Sequence, residues 1–133
     1  MRILIAEDDV TNRLVLESML APYGSVQSAL DGQEAVNAVQ TALTGDQPYD
    51  LICLDIMMPK KDGRSALRDI RQLEEAKGVQ LGHGAKIIMT TCLSDSKNIL
   101  GSFEQQCDGY IVKPVEKDKL VQLLCELDLV MPK

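Results

Sequence analysis

Short apolar runs alternate with longer amphipathic stretches along this chain, and the alternation limits the fold more than any other feature. The runs at residues 2–6, 51–54, 86–90 and 109–112 contain few polar residues, as is typical of strands buried on both faces. A further run at residues 25–30 predicts another strand. Strands that alternate with helices form a parallel sheet covered on both faces. We therefore expect an α/β fold built on five strands.

Apolar residues at helical spacing predict a helix after each strand, and in the first helix Leu14, Leu16 and Leu20 are expected to face the core. The predicted helices cover about residues 11–21, 32–45, 64–77, 95–106 and 115–129. Pro22, Gly45 and Pro114 lie at boundaries of these helices, where such residues are common. Because the chain has 133 residues and no linker or internal repeat, we expect a single domain over residues 1–133.

The charge and hydropathy of the chain exclude two classes of partner. Fourteen basic residues against twenty acidic ones give a net charge of −6, and no basic stripe is present, so we expect no nucleic-acid partner. No apolar stretch reaches the ~18 residues of a membrane-spanning helix, and residues 1–2 lead directly into a strand instead of a signal peptide. We expect a cytoplasmic protein with no membrane partner.

The cysteines and the single histidine do not form a metal-binding pattern. Cys53, Cys92, Cys107 and Cys125 lie far apart and contain no CxxC pair. Cys53 lies in an apolar strand and Cys125 on an apolar helix, so both are predicted to be buried free thiols. A zinc site is not expected, because His83 lies alone in a glycine-flanked loop, where it is not a relay histidine either.

Polar residues follow four of the predicted strands at the point where each strand ends. Glu7 and Asp8 follow the first strand, and Asp55 follows the run at residues 51–54. Thr91 and Lys113 follow the last two strands. In an open parallel sheet, the carboxyl ends of the strands meet at one functional crevice. Two or three carboxylates, a hydroxyl and an ammonium at one place suit a hard divalent cation and a phosphoryl group.

Each of these residues also has an ordinary explanation when it is considered alone. Glu7, Asp8 and Asp9 could belong to a solvated turn with Asp9 near a helix N-terminus, and Asp55 could belong to an ordinary loop before Pro59. Thr91 could cap a helix and Lys113 could be a surface charge. Tyr110, in the last strand, could fill the core. All of these explanations holding at successive strand ends is improbable, so the combined pattern favours a functional site.

Four stretches of the chain together form a recognisable pattern: residues 3–9, 54–63, 89–91 and 109–114. They resemble the receiver domain of two-component response regulators, of the stand-alone chemotaxis and phosphorelay type. The stretches occur in the order seen in that family and span nearly the whole chain. The resemblance implies a five-stranded, doubly wound parallel sheet of flavodoxin-like (βα)5 order, in agreement with the alternation of strands and helices.

The resemblance also implies a metal site. Asp55 would be the phosphoacceptor and would share a Mg²⁺ or Mn²⁺ ion with the acidic pair Glu7 and Asp8. The backbone carbonyl of Met57 would complete the protein ligands, with water in the remaining positions. Asp8 is the expected direct ligand, and the longer Glu7 is expected to act through a bound water.

The phosphoryl group and its readout would involve residues on the later strands. The resemblance implies that the Thr91 hydroxyl and the Lys113 ammonium bind phosphoryl oxygens, and that a cis bond precedes Pro114. Phosphorylation would draw Thr91 inward and let Tyr110 move from an exposed to a buried position.

The family resemblance implies a signalling role. A sensor histidine kinase or a His-phosphotransfer protein would donate the phosphoryl group to Asp55 in a Mg²⁺-dependent reaction. The domain would catalyse its own phosphorylation and dephosphorylation, and is an enzyme only in that narrow sense. A downstream target protein would read the state on a surface that includes Tyr110, Lys97, Val115 and Lys119.

The chain departs from the usual family pattern at positions near the expected phosphate. Met57 and Leu93 occupy the two places that tune how long the phosphoryl group survives, and neither side chain can orient an attacking water. The sequence therefore predicts slow autodephosphorylation. Cys92 replaces a small residue and is expected to pack inertly. The stretch between Asp55 and Thr91 is several residues longer than in minimal members of the family. The extra length is expected at residues 75–84, as a partner-specific loop or a tolerated insertion.

Three other functions remain open on the sequence alone. The domain could be the receiver piece of a longer hybrid kinase, although the Met1 start argues for a stand-alone protein. It could be a hydrolase that uses an aspartyl-phosphate intermediate, but Met57 stands where such enzymes need a second acid. It could bind a flavin or another phosphate-bearing cofactor, but residues 7–12 are acidic and lack glycine.

Overall fold

A computed structural model describes residues 1–79, 84–92 and 107–130. Its strands are β1 (Arg2–Ala6), β2 (Ser25–Ala29), β3 (Leu51–Asp55), β4 (Lys86–Cys92) and β5 (Gly109–Lys113). Its helices are α1 (Val10–Leu20), α2 (Gly32–Thr44), α3 (Gly63–Ala76) and α4 (Lys117–Glu126), with a short 3-10 helix at Ala21–Tyr23. The helix predicted over residues 95–106 lies outside the described residues.

The five strands form one parallel sheet in the order β2-β1-β3-β4-β5. The chain passes from β1 outward to β2 and then returns to β3 on the other side of β1. This reversal creates a crevice beyond the carboxyl ends of β1 and β3, as in flavodoxin-like folds. The predicted five-stranded, doubly wound parallel sheet is confirmed.

Two hydrophobic layers cover the sheet, and alternate residues of each central strand serve different layers. Leu4 and Leu54 pack with α2 and α3, whereas Ile5 and Cys53 pack with α1 and α4. Because both faces of β3 are buried, every residue of that strand is buried. This explains why the central strands are continuous apolar runs without polar alternation.

Aspartate side chains determine where three of the helices begin. Asp9, Asp31 and Asp62 are the N-caps of α1, α2 and α3, and each carboxylate accepts the backbone N–H three residues later. An N-cap of this kind satisfies a helix donor that would otherwise lack a partner. The observed helices accordingly begin within one residue of the predicted positions. The last helix is shorter than predicted, because its first turn begins only at Lys117.

The apolar residues of α1 are not all in the core. Leu16 and Leu20 are buried, but Leu14 is 56% exposed, so its predicted core position is wrong. Two residues along a helix correspond to a rotation of about 200°, so Leu14 points away from the side that carries Leu16.

A partly buried polar network joins α3 to the start of β4 and the residue before β5. Glu74 Oε2 accepts the Ala85 N–H at 2.8 Å, and Glu74 Oε1 lies 2.8 Å from Arg71 Nη1. The Arg71 guanidinium also donates to the Ala85 carbonyl at 2.9 Å and to Asp108 Oδ2 at 3.0 Å. A side chain at Gly84 would overlap the Glu74 carboxylate, because a Cβ there would lie 2.2 Å from Glu74 Oε2. Polar contacts therefore fix the chain directly after residues 75–84, the segment in which extra length was predicted.

The helices of the described ranges are all too short or too polar to cross a bilayer.

The burial of β3 predicts that Cys53 is chemically inert in the folded protein. Burial raises the pKa of the Cys53 thiol to about 12, so almost no thiolate exists near neutral pH. Cys125 is half-buried, so its predicted burial is only partial. Peptide-resolved mass spectrometry after iodoacetamide treatment should show Cys53 unmodified in the native protein and modified in urea. Cys125 is the internal control, and native labelling of both at the same rate would contradict the buried position of β3.

Candidate functional site

The sheet brings the predicted site residues to one edge. Glu7 follows directly after β1, and Asp55 is the last residue of the neighbouring strand β3. Thr91 and Lys113 lie at the carboxyl ends of β4 and β5, where the register pairs Cys92 with Lys113. These strands are parallel neighbours, so the four side chains arise from the same end of the sheet.

The Lys113 ammonium forms a buried ion pair with two carboxylates. Its Nζ lies 2.6 Å from Glu7 Oε1 and 3.0 Å from Asp55 Oδ2. The side chains of Lys113, Glu7 and Asp55 are 13%, 0% and 6% exposed. Coulomb attraction between such groups is screened far less than at the protein surface, so Lys113 ties β5 to both β1 and β3.

Three carboxylates lie close enough to hold one cation. Glu7, Asp8 and Asp55 each offer an oxygen, and these oxygens lie within 4.8 Å of one another. Together with Lys113 the four groups carry a net charge of −2, from three negative charges and one positive charge. Glu7 Oε1 is fully buried, and its contact with Lys113 is an ion pair instead of an aligned hydrogen bond. This excess of oxygen ligands and negative charge fits a hard divalent cation such as Mg²⁺ or Mn²⁺.

Protonation of the site reflects both burial and crowding. Burial raises the pKa of the Glu7 carboxyl, the neighbouring Asp55 raises it further, and Lys113 opposes this only in part. Burial lowers the pKa of Lys113, but its contacts with Glu7 and Asp55 outweigh this, so the pKa lies above its ordinary value. Lys113 therefore remains a cation at neutral pH.

Met57 contacts Asp55 of the carboxylate cluster, and Thr91 lies on the neighbouring strand β4. The Met57 N–H donates to Asp55 Oδ1 at 3.3 Å, and the Met57 side chain is largely exposed. Thr91 is buried and follows Thr90, the register partner of Asp55 in β4. The peptide bond between Lys113 and Pro114 is cis, as the resemblance implied.

The structure describes some of the residues predicted to form the surface that a target protein reads. Tyr110 is 42% exposed on β5, which is the exposed position expected for it. Val115 is half-buried and packs against the core layer of α1 and α4, whereas the exposed Lys119 pairs with Glu116 at 2.9 Å. Lys97 and Leu93 lie outside the described residues.

Asp9 and Arg13 lie near the site, and the sequence pattern did not predict what either side chain contacts. Asp9 caps α1 through the Asn12 N–H at 2.8 Å, so the ordinary explanation is correct for this acid. Arg13 was not predicted as a site neighbour, yet its Nη1 donates to the Glu7 carbonyl at 3.2 Å. Its place on the first turns of α1 was the only available signal, because side-chain direction depends on how the helix packs.

The sequence model of the response regulator receiver domain family matches residues 3–125. The chain belongs to this family. As a receiver domain it is part of the two-component signalling family, whose members occur both in histidine kinases and in response regulators.

Relatives of this receiver domain are longer proteins. The chain is 32% identical over 127 residues to the osmosensing histidine protein kinase SLN1 of Saccharomyces cerevisiae, covering 94% of this chain and 10% of SLN1. It is 34% identical over 122 residues to the transcriptional regulatory protein DltR of Streptococcus agalactiae, covering 91% of this chain and 49% of DltR. The chain thus spans half or less of these relatives.

A solved structure resembles this receiver domain in both fold and sequence. It is the receiver domain of the sensor histidine kinase PA1611 from Pseudomonas aeruginosa PAO1, which has a magnesium ion coordinated in its active site cleft. The TM-score is 0.74 at 32% sequence identity, and the match covers 95% of each chain.

The charge excess predicts that Asp8→Asn stabilises the receiver domain when no divalent cation is present. Asp8 is exposed and lies outside the Lys113 ion pairs, so the change removes repulsion without breaking a contact. We expect the free energy of unfolding in EDTA to rise by about 0.5 kcal/mol. In excess Mg²⁺ the wild type should gain more than the variant, because a ligand stabilises the native state in proportion to its affinity.

Urea unfolding with and without Mg²⁺ measures both effects. Asp46→Asn, a highly exposed acid in a left-handed backbone position that asparagine tolerates, is the matched control and should change neither value. Equal stabilisation of wild type and Asp8→Asn by Mg²⁺ would show that Asp8 does not contribute to a cation site.

Proposed function

We propose that this receiver domain accepts a phosphoryl group on Asp55 from a phosphohistidine of a histidine kinase or a His-phosphotransfer protein. The phosphorylated domain then binds a downstream target protein. The observation that carries the proposal is the Lys113 ammonium in contact with Asp55 inside a cluster of three carboxylates. A lysine and a cation-binding cluster beside one carboxylate supply the charge that phosphoryl transfer to that carboxylate needs.

Asp55 is held ready to act as the nucleophile. Its Oδ1 accepts the Met57 N–H at 3.3 Å and its Oδ2 faces Lys113 at 3.0 Å, so the carboxylate has a defined orientation. In the reaction the bond between phosphorus and the donor imidazole nitrogen breaks while a bond from an Asp55 oxygen to phosphorus forms. The product is an acyl phosphate, and the donor histidine is released.

A divalent cation would bind to residues that already crowd together. Glu7, Asp8, Asp55 and the backbone carbonyl of Met57 would hold Mg²⁺ or Mn²⁺, with Asp8 as a direct ligand and Glu7 acting through water. When bound, the cation offsets the negative charge of the phosphoryl oxygens that approach Asp55. The magnesium ion in the PA1611 receiver domain supports this proposal.

Lys113 and Thr91 would bind the phosphoryl group once it is attached. Lys113 would exchange its contact with Asp55 Oδ2 for a phosphoryl oxygen, while its contact with Glu7 keeps the ammonium in place. Movement of the buried Thr91 hydroxyl toward the phosphoryl group would open space for Tyr110, which is exposed on the adjacent strand. Val115, Lys119 and Lys97 would belong to the surface that a target protein reads.

The domain would function in either of two protein contexts. It could act alone on a target protein, or it could be the receiver piece of a longer hybrid histidine kinase. Two similar receiver domains, those of SLN1 and PA1611, belong to histidine kinases, which supports the second context. A hydrolase of external substrates is not favoured, since the exposed thioether side chain of Met57 cannot protonate a leaving group.

Asp55 should be the single phosphorylation site. Incubation with Mg²⁺ and acetyl phosphate should add one phosphoryl mass to the wild type, measured by intact-mass spectrometry. The adduct should be absent in EDTA and in Asp55→Asn, which has no carboxylate nucleophile. Asp46→Asn is the same chemical change at an exposed site and should keep the adduct. A persistent adduct on Asp55→Asn, or none on the wild type that binds Mg²⁺, would refute the proposal.

The acyl phosphate should be long-lived. Met57 and Leu93 offer no polar group to orient water, so the double variant Met57→Asn, Leu93→Glu should lose the phosphoryl group several-fold faster than the wild type. The rate is measured from intact mass after removal of acetyl phosphate. Leu14→Asn changes another exposed apolar residue, on α1, and should leave the rate unchanged. Loss from the wild type as fast as from the double variant would show that these side chains do not protect the phosphoryl group.

A further inference from the structure

The loop between β3 and α3, residues 56–62, follows a path that its own sequence does not favour. Lys60 has φ of 64°, in the left-handed region that is unfavourable for a residue with a side chain. Lys60 is the central residue of a tight turn, in which the Lys61 N–H donates to the Pro59 carbonyl at 2.7 Å. Met57 lies at the start of this loop beside Asp55. Contacts from outside the loop must therefore hold it.

The first turn of α2 supplies the closest of these contacts. A Cβ at Gly32 would lie 2.0 Å from the Lys61 carbonyl oxygen, well inside the shortest contact that real Cβ atoms make. The φ angle of Gly32 is not in the left-handed region, so its backbone conformation does not require glycine. The absent side chain matters because it lets the loop carbonyl rest directly on the helix.

Charged side chains hold the loop on both sides of that contact. Asp31 is 3% exposed, its Oδ1 accepts the Glu34 N–H at 2.8 Å, and its Oδ2 lies 3.7 Å from Lys60 Nζ. Asp69 of α3 forms an ion pair with Lys61. Lys60 is thus attracted to Asp31 and Lys61 to Asp69, while the carbonyl of Lys61 lies against Gly32.

The other end of the loop packs against the backbone of Asp55 and Ile56. The Gly63 N–H donates to the Ile56 carbonyl at 2.8 Å, and a Cβ at Gly63 would lie 2.3 Å from the Asp55 carbonyl oxygen. With so little free space at Gly63, a displacement imposed at Lys61 is transmitted toward Met57 and Asp55. Close-packed interiors relay such shifts instead of absorbing them.

We propose that the Asp31–Gly32 turn is a positioning element that seats this loop and thereby places the Met57 backbone against the cation site. The proposal rests on the proposed function, because it assigns the Met57 carbonyl a place among the cation ligands. Asp31 and Gly32 do not touch the reacting groups. They act through Lys60 and Lys61, from a helix that contributes no residue to the carboxylate cluster.

The variant Gly32→Ala tests the contact between Gly32 and the loop, and Gly24→Ala is a control with an equally severe steric clash. A Cβ at Gly24 would also lie 2.0 Å from a backbone carbonyl oxygen, that of Met1. Gly24 directly precedes β2, so this contact lies at the amino ends of the strands, away from the carboxylate cluster. Alanine at the first position of a helix is intrinsically favourable, so any loss in Gly32→Ala comes from the contact with Lys61. Isothermal titration with Mg²⁺, urea unfolding and the rate of phosphorylation by acetyl phosphate are measured for both.

We expect both variants to lose stability, but only Gly32→Ala to weaken Mg²⁺ binding, by about tenfold, as is common when a residue that orients a ligand is lost. Its phosphorylation at saturating Mg²⁺ should also be slower than in Gly24→Ala. Wild-type Mg²⁺ affinity in a folded Gly32→Ala overturns this inference alone. Failure of the wild type to bind Mg²⁺ overturns the proposed function and this inference together.

A second pair of variants decides the matter if Gly32→Ala does not fold. Asp31→Asn with Asp69→Asn removes both ion pairs and keeps the α2 cap, because asparagine caps as well as aspartate. Asp46→Asn with Asp128→Asn removes the same charge from two left-handed positions that suit asparagine. Mg²⁺ affinity should fall about threefold more in the first pair, within the range of exposed ion pairs. Equal affinities in the two pairs overturn the inference.

Discussion

The ion pair between Lys113 and the two buried carboxylates Glu7 and Asp55 is the interaction on which the site depends. It joins the last strand to the two central strands at the carboxyl edge of the sheet. Loss of one partner from a buried pair of this kind costs about 3–5 kcal/mol, because the remaining charge stays buried without compensation. In the proposed reaction the same ammonium would offset the charge of Asp55 as a phosphoryl group approaches, so the contact that joins these strands would also prepare the nucleophile.

Lys113 compensates only part of the negative charge around it. Glu7, Asp8 and Asp55 crowd their oxygens within 4.8 Å, and burial with mutual repulsion raises the pKa of Glu7. A fold optimised for stability alone would not gather like charges in this way. In the proposed function this imbalance would give the site its affinity for a cation, so stability and function would oppose each other where these strands end.

Much of the fold was predictable because the sheet is parallel and covered on both faces. Such strands must be apolar throughout, which made β1, β3 and β4 recognisable as apolar runs, and helical spacing predicted the starts of α1, α2 and α3 to within one residue. The predictions failed where the direction of a side chain depended on packing. Leu14 looked like core but faces solvent, and Cys125 is only half-buried, because periodicity alone does not say how a helix is rotated against the sheet.

The sequence by itself determined which residues could meet: strand ends carrying Glu7, Asp55 and Lys113 must share one edge of a parallel sheet. Only the tertiary structure decided that Lys113 contacts both carboxylates and that Asp9 caps a helix instead of joining them. It alone also placed the Gly32 backbone under the loop that follows Asp55. Chain order specifies strand topology, whereas such contacts depend on distances between segments that are far apart in sequence and are set only when the layers pack.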